Sequence, residues 1–278
     1  MNAVRAVSAD ARLFNLMWQS ATIRYVSPSA VNLSSLQNSW LMLCDARMGG
    51  GPGTILVEAG SGLGGIVSVG ETVSIGGSCV AARAGEIVTW EGAQRWTPEP
   101  PFGVGTGADH RVTLAEEIVG ALGHFMARPL ISGPVRALRE GCLELSPPRI
   151  RRAVAELVGL GPGLTPAGDD YLGGYLAALL HISGDDLRAG TARMLVAEAI
   201  GTAPGHTQPL SEFLLGEYRA GMIPEFLSTC LQALLHPSTA QRLSRSVRRV
   251  LSHGATSGTE MMLGLLDATR DFCLEPDS

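Results

Sequence analysis

The pattern of apolar and polar positions changes along the chain. Up to about residue 96, short apolar runs that alternate with polar residues or are rich in β-branched residues lie between glycines, which is typical of strands joined by turns. The clearest predicted strands are 40–44, 54–57, 67–69, 72–75 and 87–90. Many short strands with glycine turns predict a barrel or a sandwich-like domain. Residues 3–18 fit either a short leading helix or an edge strand.

Beyond residue 110 the apolar residues recur at helical spacing, beginning with Leu114, Ile118 and Leu122. Further helices are predicted near 132–141, 146–158, 167–182, 185–201, 208–220, 223–235, 239–252 and 259–273. Because the apolar faces are wide and the connections are short, we expect an all-α bundle of about seven to nine helices.

The two patterns meet at a segment rich in proline and glycine, Thr97 to Gly107. These residues can continue neither a helix nor a sheet ladder. We therefore predict a β-rich N-terminal domain at 1–97, a linker at 98–109 and an α-helical C-terminal domain at 110–278. The predicted fold class is α+β, with an N-terminal barrel or sandwich-like domain followed by a helical bundle.

Composition narrows the possible functions. The 278 residues carry a formal net charge of −5 and include no lysine, which excludes lysine Schiff-base chemistry and a P-loop lysine. The slight acidity argues against a nucleic-acid partner, since such proteins need a basic surface. The five cysteines are scattered and form no C-x-x-C pair, as expected for free thiols in the cytoplasm. No apolar run is long enough to cross a membrane, so we expect a cytoplasmic protein without membrane contact.

Motifs of several common enzyme classes are missing. The chain has no G-x-S-x-G elbow, no H-E-x-x-H pair and no Walker A loop. Gly60 to Gly65 match the G-x-G-x-x-G fingerprint, but a strand-like stretch follows where dinucleotide binding needs a helix. We interpret these glycines as a hairpin turn.

The best-placed candidate site is the stretch GLGPGLTPAGDD at 159–170. Its glycines allow positive φ and a close approach of a ligand to the backbone. Thr165 is a suitable N-cap, and Pro166 suits the first position of a helix. A glycine-rich loop before a helix N-terminus is an anion-binding arrangement. The candidate ligand-binding residues here are Gly161, Gly163, Leu164, Thr165 and Gly168.

Asp169 and Asp170 follow at once and complicate an anion site. Acids in the first helical turn are favoured by the helix dipole, but two carboxylates would repel a phosphate. Either a Mg²⁺ ion bridges carboxylate and phosphate, or one aspartate binds an arginine or the loop backbone and fixes the shape of the loop. A purely structural cap is the third interpretation. We take Asp169 and Asp170 as candidate catalytic residues and as possible Mg²⁺ ligands.

Two further polar turns precede predicted helices. Ser257 and Glu260 form a capping-box pattern, in a turn that also carries His253 and Thr256. This turn repeats the arrangement of the first loop, so two helix N-termini are able to face one anion. Ser211 lies in the third turn, TQPLS, where it is either an N-cap or a ligand contact.

Taken together, the stretches GLGPGLTPAGDDYLGG, TQPLSEFLL and HGATSGTEMMLGLL resemble the AllH-like family, long described as a domain of unknown function. The resemblance spans most of the chain, and its first motif is long and specific. The chain departs from the family pattern at Ala167, where the family has Ser, at Glu260, where it has Asp, and in the spacing around His253.

The resemblance implies a subunit of a multi-subunit oxamate carbamoyltransferase of anaerobic allantoin breakdown, with partner subunits and a small ligand such as carbamoyl phosphate or oxamate. It also implies site residues among the loop glycines, Thr165, the two aspartates, Thr256 and Ser257, and we add His253 as a catalytic candidate. The S-T-R-T phosphate loop of ordinary carbamoyltransferases is missing, so a different scaffold would carry the chemistry. The alternatives are a stand-alone Mg²⁺-dependent hydrolase or phosphotransferase that uses Asp169 and Asp170, and a non-catalytic scaffold subunit.

Overall fold

The chain divides into two compact units, Met1–Pro98 and Glu99–Ser278. The computed structural model describes residues 3–17, 19–35, 39–58, 62, 65, 67–83, 85–122, 129–203 and 206–273. Most of the motif at 60–65 therefore lies outside the described residues.

The N-terminal unit is a closed barrel. Its strands in the described residues are β1 (Val4–Asp10), β2 (Gln19–Val26), β3 (Ala30–Ser35), β4 (Trp40–Asp45), β5 (Thr54–Val57), β6 (Thr72–Gly76), β7 (Cys79–Ala82), β8 (Gly85–Thr89) and β9 (Gln94–Trp96). The pairing order is β5-β4-β3-β2-β6-β7-β8-β1, and β1 pairs again with β5, which closes eight strands into the barrel. The prediction of a β-rich barrel is confirmed.

Local sequence explains much of this barrel. β-Branched and apolar residues such as Ile23, Val31 and Ile55 fill its core. Residues 3–18, which fitted two interpretations, form β1 and then a short 3-10 turn at Ala11–Asn15. The strand predicted at 67–69 is not formed, and the next strand begins only at Thr72.

The C-terminal unit is helical, as predicted. Its helices in the described residues are α1 (Ala108–Ala121), α2 (Pro129–Leu143), α3 (Pro147–Leu157), α4 (Ala167–Ile182), α5 (Leu187–Gly201), α6 (Pro209–Arg219), α7 (Glu225–Leu235), α8 (Ala240–Leu251) and α9 (Ser257–Cys273). No helix among the described residues is long and apolar enough to cross a membrane. All five cysteines are free thiols, and four of them are buried.

Helix α4 forms the centre of this unit. Every residue from Gly168 to Leu179 is buried, as expected of a helix that neighbours surround on all sides. The proline- and glycine-rich segment packs across its C-terminal end, where Phe102 stacks on His181 at 4.0 Å between ring centroids. The Gly103 N–H donates to the carbonyl of His181 at 3.0 Å. Most of the segment predicted as a linker is therefore held against the helical unit, and its last two residues begin α1.

Candidate functional site

Helices α4 and α9 pack with their backbones in contact. A Cβ atom on Gly174 would overlap the carbonyl oxygen of Met261, and one on Gly264 would overlap the carbonyl oxygen of Tyr171. Glycine is therefore required at both positions by close helix packing. This packing sets the first turns of the two helices side by side, where the hydroxyls of Thr165 and Ser257 are 2.9 Å apart.

A buried polar network fixes the same pair of helices further along. Tyr171 donates to Asp267 at 3.1 Å, and Tyr175 donates to Asp271 at 3.3 Å. Arg139 of α2 pairs with both aspartates, at 3.0 Å and 2.6 Å. Two tyrosines that are four residues apart on α4 thus bond with two aspartates that are four residues apart on α9. The sequence displays both spacings but does not show that these residues contact each other.

The loop 159–166, called here the glycine loop, precedes α4. Gly159, Gly161 and Gly163 all have positive φ, at +76°, +119° and +102°. A Cβ on Gly159 would overlap the carbonyl oxygen of His206, whereas a Cβ on Gly163 would find no neighbour closer than 3.9 Å. Gly163 is exposed, so the space above it is open to a ligand.

Three consecutive amide groups of the glycine loop are free to bond with a ligand. Within the described residues, the N–H groups of Gly163, Leu164 and Thr165 donate to no protein acceptor. Gly168 is different: its N–H donates to the carbonyl of Leu160 at 2.9 Å, and the residue is buried. A Cβ there would overlap the carbonyl oxygen of Leu157, so close packing explains this glycine.

Asp169 anchors the glycine loop. Its Oδ1 accepts the Gly159 N–H at 2.8 Å, and its Oδ2 accepts the hydroxyls of Thr207 and Ser211, the latter at 2.6 Å. Protein donors thus satisfy both oxygens, and the residue is only 2% exposed. This geometry corresponds to the interpretation in which one aspartate fixes the shape of the loop. Ser211 is itself buried and serves that anchor.

Asp170 lies in an opposite environment. It is 3% exposed, and its buried Oδ2 accepts no hydrogen bond within the described residues. Burial raises the pKa of Asp170 to about 7, while the nearby hydroxyls of Ser257 and Thr165 offset part of that rise. A carboxyl of this kind exchanges a proton near neutral pH, as general acids and bases do.

Thr165 and Ser257 do not cap helices as their sequence patterns predicted. Helix α4 begins at Ala167 and has Pro166 at its N-cap, while the Thr165 hydroxyl bonds with Ser257. Ser257 is already the first residue of α9, so it does not hold the N-cap position of a capping box. Both hydroxyls instead lie beside Asp170. Long-range packing has overridden two local capping patterns.

The other residues of the second turn separate from this cluster. The ring of His253 stacks on Phe226 at 4.2 Å between centroids, and burial lowers the pKa of His253 to about 4. Its carbonyl accepts the Gly258 N–H at 2.8 Å. Thr256 is exposed, and its carbonyl accepts the Thr259 N–H at 3.0 Å. The structure thus places Ser257 with the glycine loop and gives the imidazole of His253 a packing contact.

The described residues contain no group of three or more His, Cys, Asp or Glu side chains placed to hold a metal ion. Asp169 is satisfied by protein donors, which leaves Asp170 as the carboxyl with an unpartnered, buried oxygen. Residues around the loop therefore offer a single carboxylate to Mg²⁺, fewer than the oxygen ligands that a protein-held ion needs.

Residues 157–269 match the family model described as oxamate carbamoyltransferase subunit AllH. The match begins two residues before the glycine loop and ends within α9. It therefore includes the glycine loop, Asp169, Asp170 and Ser257. Neither the curated proteins nor the solved structures gave a match. Residues 157–269 are therefore similar to the AllH family, which confirms the resemblance that the motifs in this part of the chain predicted.

Proposed function

We propose that this chain is a subunit of an oxamate carbamoyltransferase-like complex, and that the glycine loop and the first turns of α4 and α9 bind carbamoyl phosphate or oxamate. The AllH match supports the subunit role and the existence of partner subunits. The observation that carries the site is Asp170, a buried carboxyl with an unpartnered oxygen beside two hydroxyls.

The environments of the two aspartates remove the conflict between acids and an anion. Asp169 accepts three donors, which disperse its charge away from the ligand space. Asp170 is partly protonated at neutral pH because burial raises its pKa to about 7. The amides of Gly163, Leu164 and Thr165 then supply hydrogen bonds and the positive end of the helix dipole to the anion.

The proposed reaction needs one proton acceptor. The amide nitrogen of oxamate attacks the carbamoyl carbon, the bond from that carbon to the phosphate oxygen breaks, and the nitrogen loses a proton. Asp170 accepts this proton through its free oxygen, and the loop amides stabilise the departing phosphate. Thr165 and Ser257 orient the carboxyl through their hydroxyls.

The first test is a calorimetric titration of the purified chain with carbamoyl phosphate and with oxamate, with and without Mg²⁺, against inorganic phosphate. We expect saturable binding that exceeds the phosphate control. Because the protonated form of Asp170 accepts an anion best, carbamoyl phosphate affinity should fall about tenfold from pH 6 to pH 8. Asp170→Asn should remove this pH dependence.

Asp109→Asn is the matched control, since Asp109 is an exposed acid in the first turn of α1. It should bind carbamoyl phosphate like the parent protein at every pH. In the complex co-purified with this chain, Asp170→Asn should lower carbamoyl transfer at least tenfold while binding persists. Unchanged transfer by a folded Asp170→Asn variant would exclude the proposed base. Absence of binding to both chain and complex would favour a scaffold subunit.

A further inference from the structure

A second polar cavity lies beside the glycine loop, between the end of α5 and α6. Its volume is about 70 Å³, and its wall includes Val158, Ile200, Thr207, Glu212, Leu215 and Arg219. We propose that this cavity binds a small carboxylate that also carries an N–H-donating nitrogen, with the carboxylate on Arg219 and the nitrogen on Glu212.

Arg219 is held in place but keeps its binding groups available. Its Nε donates to the carbonyl of Ala197 at 2.7 Å, and its guanidinium lies against Gly201, where a Cβ would overlap Nη2. Within the described residues Arg219 forms no ion pair, and neither terminal nitrogen donates a hydrogen bond. A guanidinium with its fork unoccupied is suited to bidentate binding of a carboxylate.

Glu212 supplies the complementary group. It lies seven residues before Arg219 on α6, about 10 Å along the same face of the helix. Its carboxylate takes part in no ion pair or hydrogen bond within the described part of the chain. One cavity thus has a cation and a carboxylate that do not pair with each other. Its ligand should carry the opposite groups, an anion and an N–H donor.

The size of the cavity limits the ligand. A volume of about 70 Å³ corresponds to roughly five water molecules, and so to a ligand of about six non-hydrogen atoms. Val158, Ile200 and Leu215 form its apolar wall, which favours a compact ligand over a chain of hydroxyls.

The cavity adjoins the anchor of the glycine loop. The Thr207 hydroxyl lines the cavity and donates to Asp169, whose other carboxylate oxygen accepts the Gly159 N–H. Two hydrogen bonds therefore separate this cavity from the loop, a position suited to a second small substrate. The cavity proposal stands on its own side chains and does not require an anion at the loop.

The test measures binding by ligand-observed NMR and calorimetry. Oxamate and glycine carry both groups, acetate carries the carboxylate alone, and acetamide carries the N–H donor alone. We expect the first two to bind at least tenfold more tightly than the last two. Arg219→Gln should weaken their binding at least tenfold, and Glu212→Gln should weaken glycine binding most, because it removes the charge that pairs with the ammonium.

Gly201→Ala is a second variant that keeps the arginine. The added methyl group displaces the guanidinium tip, so oxamate and glycine binding should weaken although the charge is retained. Arg245→Gln, at an exposed arginine of α8, is the control and should change nothing.

Unchanged binding in folded Arg219→Gln and Gly201→Ala would overturn the proposal. So would a parent protein that prefers neither oxamate nor glycine over acetate and acetamide. Inorganic phosphate and carbamoyl phosphate serve as probes of the glycine loop, and their binding should survive Arg219→Gln. The failure of one site is therefore distinguishable from the failure of the other.

Discussion

Replacing Asp170 with asparagine should stabilise the folded protein in a pH-dependent way. Burial raises the pKa of Asp170 to about 7 from the 3.8 of an exposed aspartate. A carboxyl with a raised folded pKa binds its proton more tightly in the folded state, so folding is favoured below pH 4 and loses that contribution as pH rises towards 7. Asparagine has a similar shape and no charge to bury.

The size of the effect follows from the shift. A change of about three pKa units corresponds to roughly 4 kcal/mol at 1.36 kcal/mol per unit. The stability difference between Asp170→Asn and the parent should therefore grow by about 4 kcal/mol from pH 4 to pH 8, with most of the rise below pH 7. Other titrating groups are present in both proteins and cancel in this difference.

Urea unfolding followed by far-UV circular dichroism, repeated from pH 4 to pH 8, measures that difference. Asp109→Asn provides the control because the same substitution is made there at an exposed carboxyl, so it should not reproduce the rise of about 4 kcal/mol. A difference for Asp170→Asn that changes by less than about 1 kcal/mol over this range would show that Asp170 ionises normally. Such a result would refute both the buried carboxyl and the proton acceptor proposed from it.

Three further outcomes are expected. Gly174→Ala should destabilise the helical unit by at least about 2 kcal/mol, because the added methyl group overlaps the carbonyl oxygen of Met261. Gly216→Ala should stabilise the protein by about 1 kcal/mol, because a Cβ at this position of α6 has no neighbour within 4 Å. Thermal unfolding of both variants measures the two effects. Arg139→Met should cost about 3–5 kcal/mol in urea unfolding, since it leaves two buried aspartates without their cation. Burial lowers the pKa of His181 to about 4, so the stability of His181→Gln relative to the parent should rise by about 3 kcal/mol as pH falls from 6.5 to 4, measured by urea unfolding of both proteins over that range.

The sequence predicted the helical unit well because its signals are local. The bounds of α4, predicted at 167–182, match the structure, since a long apolar run between a glycine loop and a polar turn leaves few alternatives. The strand predicted at 67–69 did not form, and within the described residues this segment pairs with no strand, so its β-branched pair alone was a weak signal. A local sequence preference favours a strand, but the strand forms only where a neighbouring strand pairs with it.

The candidate site could be predicted only in part. The sequence displays the glycine loop, the two aspartates and the second turn as motifs. It gives no sign that Thr165 lies next to Ser257, which is 92 residues away. That contact depends on two glycines that let α4 and α9 touch, and it diverts both hydroxyls from their expected caps. The sequence also could not predict that Arg219 lines a cavity, because residues of α5 form the opposite wall of that cavity.

The adjacent aspartates explain why such a pair is useful at one helix N-terminus. Successive helical residues point about 100° apart, so neighbouring side chains meet different surroundings. Asp169 turns towards the glycine loop and α6, where three donors hold it and thereby hold the loop. Asp170 turns towards α9, where packing buries it beside hydroxyls but leaves one oxygen without a donor. The same residue type thus fixes the loop at one position and, in the function proposed above, accepts a proton at the next.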